Sequence, residues 1–198
     1  MTASDSAALV QEIFDKTVDV HRRFAQNGFT GVVAAADAIR QAVTTGGKVL
    51  AFGNGGSATD AEHLVSELVG RFEKERRGLA GIALTPDSAV VTAIANDYGY
   101  ERVFTRQIEA LGREGDVAFG ISTSGRSPNV LEGLAAAKAR GMTTIALTGR
   151  DGGPMGAQAD IHLNVAEAST ARVQEVHRTV IHAVCALVER SITPSSPS

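Results

Sequence analysis

Short apolar runs, each closed by a glycine-rich or polar turn and separated by helix-length amphipathic stretches, limit most strongly how this chain can fold. The runs are KVLAFG (48–53), GLAGIAL (78–84), GDVAFGIS (115–122), TTIALTG (143–149) and the weaker IHLNVA (161–166). KVLAFG shows no polar alternation, which suits a strand buried on both faces. Helical spacing falls at 5–26, 31–44, 59–72, 87–96, 100–112, 127–140 and 170–192. Strands alternating with helices imply right-handed crossovers and a parallel sheet covered on both sides. The expected fold is α/β, a three-layer α/β/α sandwich around a five-stranded parallel sheet, with two extra N-terminal helices (1–45) before the α/β core (46–192). No repeat or linker divides residues 1–192, so one domain is expected, followed by a disordered tail, TPSSPS (193–198).

Composition excludes several classes of function. The chain has 198 residues, 43% of them hydrophobic, and a net charge of −3, so it carries no basic excess to hold a nucleic acid. The single cysteine, Cys185, rules out an internal disulfide and a multi-thiolate metal site. No apolar run has the length of a membrane span, and MTASDSAALVQEIFDK lacks the layout of a signal peptide, which makes the cytoplasm the expected compartment.

In parallel α/β sheets, ligands bind beyond the carboxyl ends of the strands, where strand order reverses. Two polar loops lie at such ends. Gly53-Asn54-Gly55-Gly56-Ser57 follows the first strand, and Ser122-Thr123-Ser124-Gly125-Arg126-Ser127 follows the third and opens a helix. Unpartnered N–H groups at a helix N-terminus, with several hydroxyls beside them, suit a phosphate. Serine and threonine also cap helices and form turns, which explains one such loop as well as a ligand does. Two in one sheet favour the ligand. Gly53, Gly55 and Ala58 match G-x-G-x-x-A, but the second strand ends at Leu84-Thr85-Pro86 without the acid that a dinucleotide ribose needs. No nucleotide cofactor is therefore expected.

In TDAEHLVSELVGRF (59–72), His63 and Glu67 stand at i, i+4, opposite the apolar face made by Ala61, Leu64, Val65, Leu68, Val69 and Phe72. Such a pair can hold a metal or act on one substrate, and it can equally be a solvated surface pair. As it points away from its own core, a second subunit is its natural cover. The last helix carries a stripe of Val173, Val176, Val180, Val184 and Leu187, with His177 inside it and read as a core histidine. His21 and His162 also read as structural. Gln174 and His182 are separated by about 12 Å of helical rise, so a shared metal site is feasible but tight.

The segments GNGGS, ANDYG, GISTSGRSPNV, LTGRDGG and RVQEVH, in this order over about 5–192, resemble the sugar isomerase (SIS) domain family, with a flavodoxin-like fold. His63, Glu67, Gln174 and His182 together narrow the resemblance to its phosphoheptose isomerase branch. That resemblance implies conversion of sedoheptulose 7-phosphate to D-glycero-D-manno-heptose 7-phosphate through an enediol, the first step towards a nucleotide-activated heptose. It implies that Asn54, Gly55, Gly56, Asn96, Asp97 and Gln174 contact substrate, and that Ser122, Thr123, Ser124 and Ser127 hold the phosphate. Glu67 and His182 would be the acid/base pair, with Glu67 also touching substrate. His63, Glu67, Gln174 and His182 would bind one Zn2+ per subunit. A homotetramer with active sites between subunits is implied too, and no nucleic-acid or membrane partner. Non-catalytic SIS-domain proteins that bind phosphosugars or a replication initiator, and isomerases of other sugar phosphates, are the alternatives. Ala171 departs from the branch, standing where some members carry an acid.

Overall fold

A computed structural model describes residues 2–193. Two helices come first, α1 (Ala3–Gln26) and α2 (Thr30–Thr44). Then follow β1 (Val49–Gly53), α3 (Gly56–Val69), β2 (Gly81–Ala83), α4 (Ser88–Tyr98) and, after a 3-10 turn at Tyr100–Arg102, α5 (Val103–Leu111). The chain continues through β3 (Val117–Ser122), α6 (Pro128–Ala139), β4 (Thr143–Gly149), α7 (Gly153–Gln158), β5 (Ile161–Val165) and α8 (Thr170–Ile192). All neighbouring strands are parallel, in the order β2-β1-β3-β4-β5. The order reverses between β1 and β3, so the two polar loops flank the point where such sheets bind ligands.

Alternate residues of each strand feed different layers. On one side Val49, Ala51, Phe119, Ile121, Ile145 and Leu147 pack with Ile39, Leu64, Leu68 and the Val173–Val188 stripe of α2, α3 and α8. On the other, Leu50, Phe52 and Ala146 pack with Phe104, Ile108, Val130 and Leu134 of α5 and α6. The expected three-layer sandwich is thus the observed one. At the amino ends of the strands, the buried Asp116 carboxylate accepts from the backbone N–H of Lys48 and of Arg113, each at 2.9 Å, and pairs with Lys48 Nζ at 2.5 Å, tying β1 to β3.

Several local expectations are corrected. α3 starts at Gly56 rather than at 59, because the chain turns at Gly55 (φ +56°) and GlyGlySer enters the helix. Asn96, Asp97 and Tyr98 are helical, and Gly99 (φ +90°) alone ends α4. β2 has three residues, not seven, and the glycine-rich turn after β4 contains the short α7, begun by Gly153-Pro154. In α1 the apolar stripe is present but only Val20 is buried, while Leu9, Val10, Ile13, Phe14 and Val18 are exposed. The expected tail lies, from residue 194 onward, outside the described residues.

Candidate active site

The loop after β3 brings three serine hydroxyls together. Ser122 Oγ lies 2.9 Å from Ser127 Oγ and 3.2 Å from Ser124 Oγ, and the Arg126 N–H donates to Ser124 Oγ at 3.2 Å. Ser127 is the N-cap residue of α6 yet makes no side-chain cap, so its hydroxyl belongs to the loop. Pro128 starts the helix with φ preset and no N–H to satisfy. A second loop braces the first: Gly125 has φ +63°, and a Cβ there would overlap the Gly152 carbonyl. The Met155 N–H donates to Gly125 O at 3.2 Å, and Arg126 pairs with Asp151 at 2.5 Å.

The loop after β1 faces this nest. Asn54 Nδ2 donates to Asn129 Oδ1 and Asn129 Nδ2 donates to Asn54 Oδ1, each at 2.9 Å, while Tyr100 Oη donates to Asn54 Oδ1 at 3.0 Å. Asn129 and Tyr100 were not among the expected site residues. An asparagine after a helix-opening proline reads as a turn residue, and no local pattern shows that it meets residue 54. Asn54, Tyr100, Glu101, Ser127, Pro128 and Asn129 line a cavity of about 280 Å³. Asn96 and Asp97 are exposed on α4 and hydrogen-bonded to each other at 2.8 Å.

The acid/base candidates meet elsewhere, along a seam where α3 and α8 run parallel. Its rungs climb in step. The Gln174 amide sits on Gly56, where a Cβ would overlap it, and Asp60 pairs with Arg178 at 2.8 Å. Then His63 Nε2 meets His182 Nε2 at 2.8 Å, and Glu67 Oε1 lies 3.4 Å from His63 Nε2. The Phe72 ring packs on His182 with centroids 5.6 Å apart. His63 and Glu67 therefore do not face open solvent: α8 of the same chain covers one side, and their side chains are 28% and 19% exposed. Burial, then the charge of Arg178 and the neighbouring His182, push the His63 pKa down against the pull of Glu67. A neutral His63 fits the short contact, in which one imidazole donates and the other accepts.

Two imidazoles and a carboxylate are donors that zinc takes. Tetrahedral bonds of 2.0–2.1 Å place nitrogens about 3.3 Å apart, so the two rings would part by about half an ångström to admit it. Gln174 is turned onto Gly56, about 10 Å of helical rise from His63. Among the described residues no three His, Cys, Asp or Glu side chains are already spaced around a metal. The structure thus unites His63, Glu67 and His182, and leaves Gln174 two turns away.

Residues 6–149 match the family model of the SIS domain. The chain belongs to the SIS domain family. A phosphoheptose isomerase of Roseiflexus sp. is 50% identical to this SIS domain over 93% of each chain. The structure of phosphoheptose isomerase GmhA from Neisseria gonorrhoeae superposes with a TM-score of 0.87 at 42% identity, covering 93% of this chain and 98% of that one. A phosphoheptose isomerase from Francisella tularensis gives 0.88 at 36% identity, covering 96% and 100%. Relatives at this identity and coverage put the SIS domain in their isomerase branch. Among the described residues no helix is long and apolar enough to cross a membrane.

Proposed function

We propose that this SIS domain, spanning 1–192, is an aldose–ketose isomerase converting sedoheptulose 7-phosphate to D-glycero-D-manno-heptose 7-phosphate in the cytoplasm. The observation that carries the reading is the meeting of His63, Glu67 and His182 on the α3–α8 seam, in a chain half identical to a phosphoheptose isomerase. Ketose and aldose differ by the position of one carbon-bound proton and by which oxygen is the carbonyl, so no hydride carrier is required. Glu67 removes the proton on carbon, an enediol forms, and the proton returns to the neighbouring carbon. His182 moves a proton between the two oxygens. Ser122, Thr123, Ser124 and Ser127, with the N-terminus of α6, hold the phosphate. Asn54, Gly55, Gly56, Asn96, Asp97 and Gln174 orient the sugar.

His63, Glu67 and His182 would hold one Zn2+, while Gln174, turned onto Gly56 two turns away, lies outside this donor set. When bound, the ion would supply polarisation of the substrate carbonyl. The reading includes a homotetramer with sites between subunits. The part-covered acid/base cluster and the exposed apolar residues of α1 support it.

Incubation with sedoheptulose 7-phosphate should yield an aldose phosphate, faster than with five- or six-carbon ketose phosphates. No aldose product would overturn the reading. Glu67→Gln should keep the circular-dichroism spectrum and lose about 10²–10⁴-fold in kcat. Near-normal turnover would remove Glu67 as the base. Exhaustive chelation should slow the reaction and zinc should restore it, whereas an unchanged rate would take the metal out of the proposal.

A further inference from the structure

Two turns beyond His182 on α8, a charged side chain is buried where no substrate chemistry calls for one. Glu189 is 2% exposed. Its carboxylate accepts from the backbone N–H of Phe72 at 3.0 Å, and from those of Glu73 and Lys74 at 2.8 Å each. Arg76, also buried, places Nε 3.3 Å from Glu189 Oε1. That nitrogen is paired by charge but not aligned for a hydrogen bond. The rest of the guanidinium gathers the carbonyls at the end of α3. Nη2 donates to Glu67 O at 2.5 Å, and Nη1 donates to Leu68 O at 2.8 Å and Gly70 O at 3.1 Å.

One gripped group belongs to the acid/base pair, and another to a residue packed on it. Arg76 holds the peptide carbonyl of Glu67 itself. Glu189 holds the peptide N–H of Phe72, whose ring lies on His182. Replacing a buried ion pair by apolar residues of the same volume is often neutral or stabilising, so packing alone gives no reason for this one. Directional bonds to the backbone leaving α3 do.

We propose that Glu189 and Arg76 are positioning residues for the isomerisation, a buried clamp that fixes the exit of α3 so that Glu67 and the Phe72-backed His182 keep one relative geometry. The proposal rests on the isomerase reading above. Small errors in the placement of reacting groups cost much in rate and little in binding.

The experiment compares Glu189→Gln, Arg76→Lys and Phe72→Leu with the unaltered protein for kcat, KM and thermal midpoint. A proton Overhauser contact between the rings of Phe72 and His182 is recorded alongside. The clamp predicts that kcat falls about tenfold or more in each variant while KM stays within about twofold. The ring contact should weaken in the first two variants. A kcat within about twofold of the unaltered protein, with only the thermal midpoint lowered, would make the pair merely structural and overturn the proposal. Should Glu189→Gln and Arg76→Lys fail to fold, Glu189→Asp, which keeps the charge but draws the carboxylate back from the 72–74 N–H groups, decides by the same kcat criterion. If the unaltered protein does not isomerise sedoheptulose 7-phosphate, the functional reading fails by itself. The clamp is then judged by the ring contact in the variants, and persistence of that contact overturns it.

Discussion

Gly125 concentrates what single residues contribute to the anion loop. Its left-handed backbone (φ +63°) and its approach to the Gly152 carbonyl both exclude a side chain. Gly125→Ala should cost about 1–3 kcal/mol of stability. Because Ser122, Ser124 and Ser127 share that loop, it should also raise KM for the sugar phosphate more than it lowers kcat, as steady-state kinetics would read. An unchanged KM would separate the brace from the anion site. At this scale the sequence was informative about type and silent about partners. Hydroxyl-rich and glycine-rich loops at strand ends marked the site, and the i, i+4 spacing of His63 and Glu67 marked the helix face. That Asn54 pairs with Asn129 depends on how the loop after β1 meets the start of α6, and that His182 rather than Gln174 meets His63 depends on how α3 and α8 slide past each other. Local spacing does not encode that slide.

Among the elements, α8 links the core to the site. Its His177 is fully buried against β4, where Nε2–H donates to Thr148 O at 2.9 Å. Nδ1 has no partner among the described residues. Burial pushes its pKa down from 6.5 to about 4, despite the hydrogen bond to Thr148. The unfolded chain therefore binds a proton that the folded chain refuses. The stability from a neutral His177 is complete above about pH 6.5 and is lost as pH falls towards about 4, on the order of 3 kcal/mol in all. Urea midpoints of the unaltered protein should drop across that window more steeply than those of His177→Gln. Parallel curves would contradict this. Element boundaries were legible where the signals were strong: TTIALTG is β4 from end to end, and α8 runs from 170 to 192 as its periodicity implies. They were not legible where glycines mislead, as at the start of α3, or where tertiary context makes a helix from GlyProMetGly, as in α7.

For the whole molecule, the sheet order puts both polar loops at the reversal point between β1 and β3; alternation of strand and helix foretold the parallel sheet and the loops at its strand ends, but not the strand order. The first half of α1 is different. It is amphipathic, yet Leu9, Ile13 and Phe14 are 46%, 39% and 65% exposed, so one chain does not use the face it builds. Under the tetramer proposal, Phe14→Glu should shift the sedimentation coefficient towards that of a monomer and reduce turnover with it. A fully active monomer would refute active sites shared between subunits.

The parallel seam of α3 and α8 has a corollary for how such a chain can vary. Gly56 with Gln174, Asp60 with Arg178, His63 with His182, and the 72–74 amides with Glu189 all keep nearly the same numerical offset. One extra residue anywhere between Gln174 and Glu189 would turn everything after it by about 100° and unzip the later rungs together. This stretch can therefore drift in identity but not in length.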